Sequence, residues 1–184
     1  MSVIEQAATI SAGTWRSDPV HSALGFEVKY LGAAKFRGEV PDFDGSLVVG
    51  DSGTELVGSG RVASLRTKDE NLDAHLQSPD FFDAERHPDI TFRSTSASFG
   101  PADDVTIEGE LTIKGVTKPV TLQGTVSAPV ADLAGTEKVA LELATTIDRT
   151  DFGVSWNAPL PGGGLALASD VALKADLVFA KETE

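Results

Sequence analysis

Apolar and polar residues alternate along much of the chain with a period of two. From Leu24 the even positions Leu24, Phe26, Val28 and Tyr30 are apolar, while Glu27 and Lys29 between them are charged. Successive side chains of an extended strand point to opposite faces, so such a segment has one buried and one wet face. Val105-Thr106-Ile107-Glu108-Gly109-Glu110-Leu111-Thr112-Ile113 alternates most cleanly, and segments 120–126, 139–143 and 171–179 repeat the scheme. Ile90-Thr91-Phe92-Arg93 does so briefly. The stretch from Phe36 to Val49 is more broken, and Gly38 and Gly45 within it read as bulges or bends.

One stretch reads as helical. Thr67-Lys68-Asp69-Glu70 fits a capping box, and Leu72 and Leu76 follow on one helix face. Ser78-Pro79 ends it, with Ser78 placed to cap a further turn over Asp80-Phe81-Phe82-Asp83. Gly115-Val116-Thr117-Lys118-Pro119 reads as a turn between strands, and residues 159–164 as a flexible loop. Residues 1–12 and 181–184 read as flexible ends around a single domain over 13–180.

About eight strands with one short helical insertion predict an all-β fold. Periodicity alone leaves two architectures open, a closed barrel and a sandwich. A barrel of that size can hold one apolar ligand, whereas a sandwich fills its middle with side chains. The inward faces are interrupted by small residues: Gly58, Gly60, Ser94, Ser96, Gly109 and Gly124. These mark either close packing at bends or a long apolar cavity.

Composition narrows the partners. With 15 basic and 28 acidic residues in 184, the net charge is −13. Such a chain is repelled by nucleic-acid phosphates and anionic lipid surfaces. The absence of cysteine excludes disulfides, thiolate metal sites and cysteine catalysis. The first residues show neither a basic region nor a sustained apolar one, and no apolar run approaches the roughly 20 residues of a membrane helix. A soluble cytoplasmic protein is therefore the expectation, with the mature form of a longer secreted precursor as the alternative. His21, His75 and His87 lie in different segments without metal-ligand spacing, so no metal is expected. Asp18-Pro19-Val20-His21-Ser22 brings three hydrolase residue types together. A triad is a matter of three-dimensional geometry, however, and no Gly-x-Ser-x-Gly elbow occurs. The simpler expectation is an Asp18–His21 hydrogen bond at a strand corner, with no catalytic residue assigned. The glycines 162–164 lack the Lys-Ser/Thr of a phosphate loop.

An ordered series of motifs resembles the YceI-like family. It starts with Asp18-x-x-His21-Ser22 and Phe26, then Thr67 with Leu72-x-x-His75-Leu76-x-Ser78-x-Asp80-Phe81-Phe82. Pro88-x-Ile90-x-Phe92-x-Ser94 follows, then Gly109-x-Leu111-Thr112-Ile113-Lys114-Gly115-Val116-Thr117-Lys118-Pro119-Val120, and Asp148-Arg149-x-Asp151-Phe152-Gly153 closes it. The chain departs from the family in carrying Leu72 where Arg is common, and Asp148 where Asn is common. The resemblance implies a single extended, lipocalin-like antiparallel β-barrel that binds a polyisoprenoid, such as a prenyl quinone or prenyl phosphate, or another long amphiphile. It implies no catalysis, cofactor or metal, and it adds the expectation of a homodimer through a strand edge or the helical insertion.

For a ligand of that kind, apolar burial sets affinity at roughly 25 cal/mol per Å². The lining candidates are Phe26, Val28, Tyr30, Phe36, Phe43, Val62, Leu72, Leu76, Phe81 and Phe82. Ile90, Phe92, Leu111, Ile113, Leu122, Leu141 and Leu143 complete them. His21, Arg149 and Trp156 are candidates for the mouth and headgroup. Two rival functions remain at this point: sequestration of small amphiphiles under stress, and a lipid or lactone hydrolase using Asp18 and His21.

Overall fold

The computed structural model describes residues 10–183. Eleven strands follow one another: β1 Gly13–Ser17, β2 Ala23–Tyr30, β3 Ala34–Glu39, β4 Phe43–Gly50, β5 Gly53–Arg61, β6 Asp89–Phe99, β7 Asp104–Ile113, β8 Val116–Val126, β9 Val130–Ala131, β10 Glu137–Asp148 and β11 Leu167–Lys181. A single α-helix, α1 Glu70–Gln77, is inserted between β5 and β6. All named pairings are antiparallel. Strands β11, β1, β4, β5, β6, β7, β8 and β10 form a ring, which the β10–β11 ladder closes from Lys138↔Ala180 to Asp148↔Asp170. The fold is thus a closed barrel, and the sandwich alternative falls away.

The long β11 has two successive partners on one edge. Its last residues pair with β1, and its earlier part, up to Asp176, pairs with β2, which carries β3 outside it. At that end the wall between β3 and β5 is not a ladder. A single bridge, Glu39↔Arg66, links the two sides, and the α1 insertion covers the gap.

The two ends of the barrel differ. At one end Trp15, Leu47, Val105, Ile107, Val139, Leu141 and Phe179 pack solidly, each at most 2% exposed. Ile10 joins this cluster, and the Trp15 Nε1–H donates to the Ser11 carbonyl at 3.2 Å. The domain therefore holds part of the expected loose segment 1–12; residues 1–9 lie outside the described residues. Lys181 is likewise the last residue of β11, and the Glu182 N–H donates to Thr14 O.

Local details correct several expectations. The α1 N-cap is Asp69, whose carboxylate accepts from the N–H groups of Asn71 and Leu72. Thr67 instead donates its backbone N–H and its hydroxyl to Asp73 Oδ1, at 2.6 and 2.7 Å. Ser78 caps no further helix. Its carbonyl accepts from Phe81 and Asp83, and its hydroxyl donates back to His75 O. Gly38 and Gly45 are not bulges but regular ladder positions, opposite Phe26 and Gly58. Register shifts instead occur in β11, between Leu167 and Val171, and in β6, between Ser94 and Ser96. The second reverses the phase, so that Ser96 points outward to Glu108 while Ala97 and Phe99 resume the inner face. The turn joining β7 and β8 centres on Lys114 and Gly115, both at positive φ (51° and 76°), as a tight two-residue hairpin requires.

Candidate functional site: an apolar cavity closed at one end

The other half of the barrel encloses a cavity of about 590 Å³. Phe26, Val28 and Tyr30 reach it from β2, Phe36 from β3 and Phe43 from β4. Ile90 and Phe92 come from β6, Leu111 and Ile113 from β7, Leu122 from β8 and Leu143 from β10. Leu72 and Leu76 of α1, with Phe81 and Phe82 of the loop behind it, supply the wall where the ladder is missing. Leu56, Leu143, Leu177 and Phe179 belong both to the lining and to the packed end, so they form a floor.

Three expected site residues lie elsewhere. Leu141 is below the floor, paired with Val126 and Leu177 in the solid end. Val62 follows the end of β5 into a short 3-10 turn, Val62–Ser64, which swings it into a side cluster with Val40 and Leu65. His21 sits on the outer surface with its side chain 63% exposed, its Nδ1 2.7 Å from Asp18 Oδ2. The other two mouth candidates, Arg149 and Trp156, do border the cavity.

The space arises from small residues on two neighbouring strands. Gly45 and Gly58 face each other across β4 and β5 and border the cavity, with Gly58 the more open of the two. Gly60, two residues on, also borders it but makes room for Val40, which a Cβ there would approach to 3.0 Å. The remaining small inward residues serve packing. The Phe92 ring presses on Gly109, where a Cβ would come within 2.5 Å of it. Gly124 lets β8 approach β10, since a Cβ there would overlap Glu142 O. Gly38 gives way to the Phe26 ring in the same manner, and so holds a lining aromatic in place. Ser94 accepts from the Leu56 N–H at 2.8 Å. Both readings of the small residues therefore apply, each to different positions.

Polar chemistry gathers at one place in the lining. Arg149 follows β10 and is only 6% exposed. Its Nε donates to Ala168 O at 2.9 Å, and its Nη1 to Val154 O at 2.7 Å and to Trp156 O at 2.9 Å. These bonds hold the segment after Gly153 against the barrel. Burial pushes the Arg149 pKa down, and the neighbouring Asp148 opposes this. The Trp156 ring meets His75 edge-on at 4.7 Å and Phe81 at 5.3 Å between centroids. His75 Nε2 in turn lies 3.0 Å from Asp80 Oδ2. The half-buried Leu72, Phe82 and Trp156 and the 45% exposed Tyr30 mark this as the open end.

The sequence contained signals for several lining residues beyond those expected. Leu72, His75 and Leu76 share i, i+3, i+4 spacing, which places His75 on the apolar helix face. Continuing the β10 alternation past Leu143 leads to Ile147, and the β11 alternation supplies Val171, Leu173, Leu177 and Phe179. Phe152 and Val154 follow no strand period; Phe152 stands in the closing motif of the family series, and no pattern announces Val154. Among the described residues, no three His, Cys, Asp or Glu side chains converge as metal ligands, and no helix is long and apolar enough to cross a membrane.

Comparison with known proteins places this architecture. The family model described as the YceI-like domain matches residues 15–179. A UPF0312 protein of Staphylococcus aureus (strain MSSA476) is 32% identical over 170 residues, covering 88% of this chain and 94% of its own. The crystal structure of Burkholderia cenocepacia BcnA superposes with a TM-score of 0.74 at 23% identity, over 88% of this chain and 98% of that one. A polyisoprenoid-binding domain from Saccharophagus degradans, implicated in plant cell wall breakdown, superposes with a TM-score of 0.71 at 13% identity, over 94% of this chain and all of that one. At those identities the two structures speak for the fold, while the family match rests on the sequence itself: this chain belongs to the YceI-like family.

Proposed function

We propose that this protein binds a long-chain amphiphile, an isoprenoid lipid such as a prenyl quinone or prenyl phosphate, and stores or carries it without altering it chemically. The observation that carries this reading is the cavity itself: about 590 Å³, walled mostly by aliphatic and aromatic side chains, floored at one end and bordered by the buried Arg149 and by His75 at the other. An apolar tail needs only to be covered, and each methylene removed from water contributes about 0.8 kcal/mol. The fold shared with the Saccharophagus degradans polyisoprenoid-binding domain supports the same ligand class. A hydrolase built on Asp18 and His21 gains no support, because that pair lies outside the cavity and Ser22 is engaged with the Val178 backbone.

The test is direct. Purified protein is extracted with organic solvent and analysed by mass spectrometry, and the emptied protein is titrated with a prenyl quinone. A co-purified lipid or saturable stoichiometric uptake is expected. Finding neither overturns the proposal.

A further inference from the structure

Charge is distributed unevenly around the cavity. Asp44 and Lys174 border it, but their side chains are 77% and 66% exposed and engage Arg61 and Asp176. Arg149 is different: it borders the cavity and is 94% buried. A guanidinium has five N–H donors. The carbonyls of Ala168, Val154 and Trp156 take the donors of Nε and Nη1, and among the described residues Nη2 donates to nothing. No carboxylate of the described residues forms an ion pair with Arg149. The adjacent Asp148 uses its Oδ1 on the N–H and hydroxyl of Thr150.

Three neutral carbonyls orient a guanidinium but do not balance its charge. A buried charge without a counter-charge is costly, and arginine does not escape that cost by losing its proton. An aliphatic side chain would line an oily cavity without this cost. We infer that Arg149 is the receptor for an oxyanion at the polar end of the ligand, a phosphate or carboxylate bound by the free Nη2 while the hydrocarbon tail runs toward the Leu56–Phe179 floor. The site then selects acidic amphiphiles over neutral ones of the same length, prenyl quinones included. His75 and Trp156 frame the same end, and Trp156 is fixed there because its own carbonyl is one of the three that hold Arg149.

This inference rests on the lipid-binding proposal above, and the experiment separates the two. Emptied wild-type protein is titrated with geranylgeranyl phosphate, geranylgeranoic acid and geranylgeraniol, which share one tail and differ at the head. At least one of the two acids is expected to bind about tenfold or more tighter than the alcohol, the worth of a charge-assisted hydrogen bond. Alcohol affinity equal to that of both acids overturns the role of Arg149 and leaves tail binding standing. Failure of all three to bind overturns both. In Arg149→Gln the ratio of acid to alcohol affinity is expected to fall to about unity; an undiminished ratio in a folded variant refutes the assignment. If that variant does not fold, the wild-type comparison still decides.

Discussion

Lys138 on β10 reaches Asp18 in the β1–β2 connection, a partner 120 residues away in the chain, at 2.9 Å. Asp18 also accepts from the Val20 N–H and lies 2.7 Å from His21 Nδ1. Lys138 first, and His21 after it, hold the Asp18 carboxyl well below the usual carboxylate range. A carboxyl depressed in the folded state stabilises the fold above its unfolded pKa of about 3.9, and that contribution is lost as pH falls toward the folded value. Lys138→Met is therefore expected to lower the melting temperature at pH 7 and to converge on the wild type in strong acid. Thermal melts of both proteins between pH 7 and pH 2 check this, and a gap that stays constant to the acid end contradicts it. The Asp18–His21 contact was legible in the sequence because it is local. Lys138 was not, because only the closed barrel brings β10 beside the β1–β2 corner. Arg149 shows the same limit: its position in a motif was visible, but its burial and its three carbonyl partners depend on how residues 154–168 fold back over it.

At the level of elements, strand β5 makes room for the cavity. A Cβ at Gly58 would meet only Asp44 O, at 3.7 Å, so a side chain there extends into open space. Gly58→Leu is expected to leave the fold intact and to reduce uptake of a prenyl chain at least several-fold, because the new side chain occupies volume the tail needs. Circular dichroism with a lipid titration checks it, and unchanged uptake by the folded variant would remove Gly58 from the wall. Strands β2, β7, β8, β10 and β11 were readable as clean alternation. Strand β5 was hidden by its glycines, and β1 is only five residues long with Trp15 as its single fully buried anchor. The capping residue of α1 was displaced by two positions because Thr67, Asp69 and Asp73 all offer suitable side-chain oxygens, and the backbone geometry assigned the cap to Asp69.

For the molecule as a whole, ring closure by β10 and β11 turns two-faced strands into an inside and an outside, and the Trp15 cluster decides how much of the inside is empty. Alternation located the inner face but not the depth at which packing stops, which is why Leu143 forms part of the floor while Leu141, two residues away, lies beneath it. That floor gives a length prediction. Across a series of prenyl ligands with one head, affinity is expected to rise with each added unit until the tail reaches the floor, and then to flatten. Calorimetry on the series checks it, and affinity that keeps climbing through much longer chains contradicts a floor at Leu56, Leu143 and Phe179. The sealed Trp15 end carries one more consequence, for traffic. On the proposed function, a bound lipid would back out through the doorway by which it came in, so an occupied molecule would discharge before reloading, as a shuttle with one berth and not a conduit does.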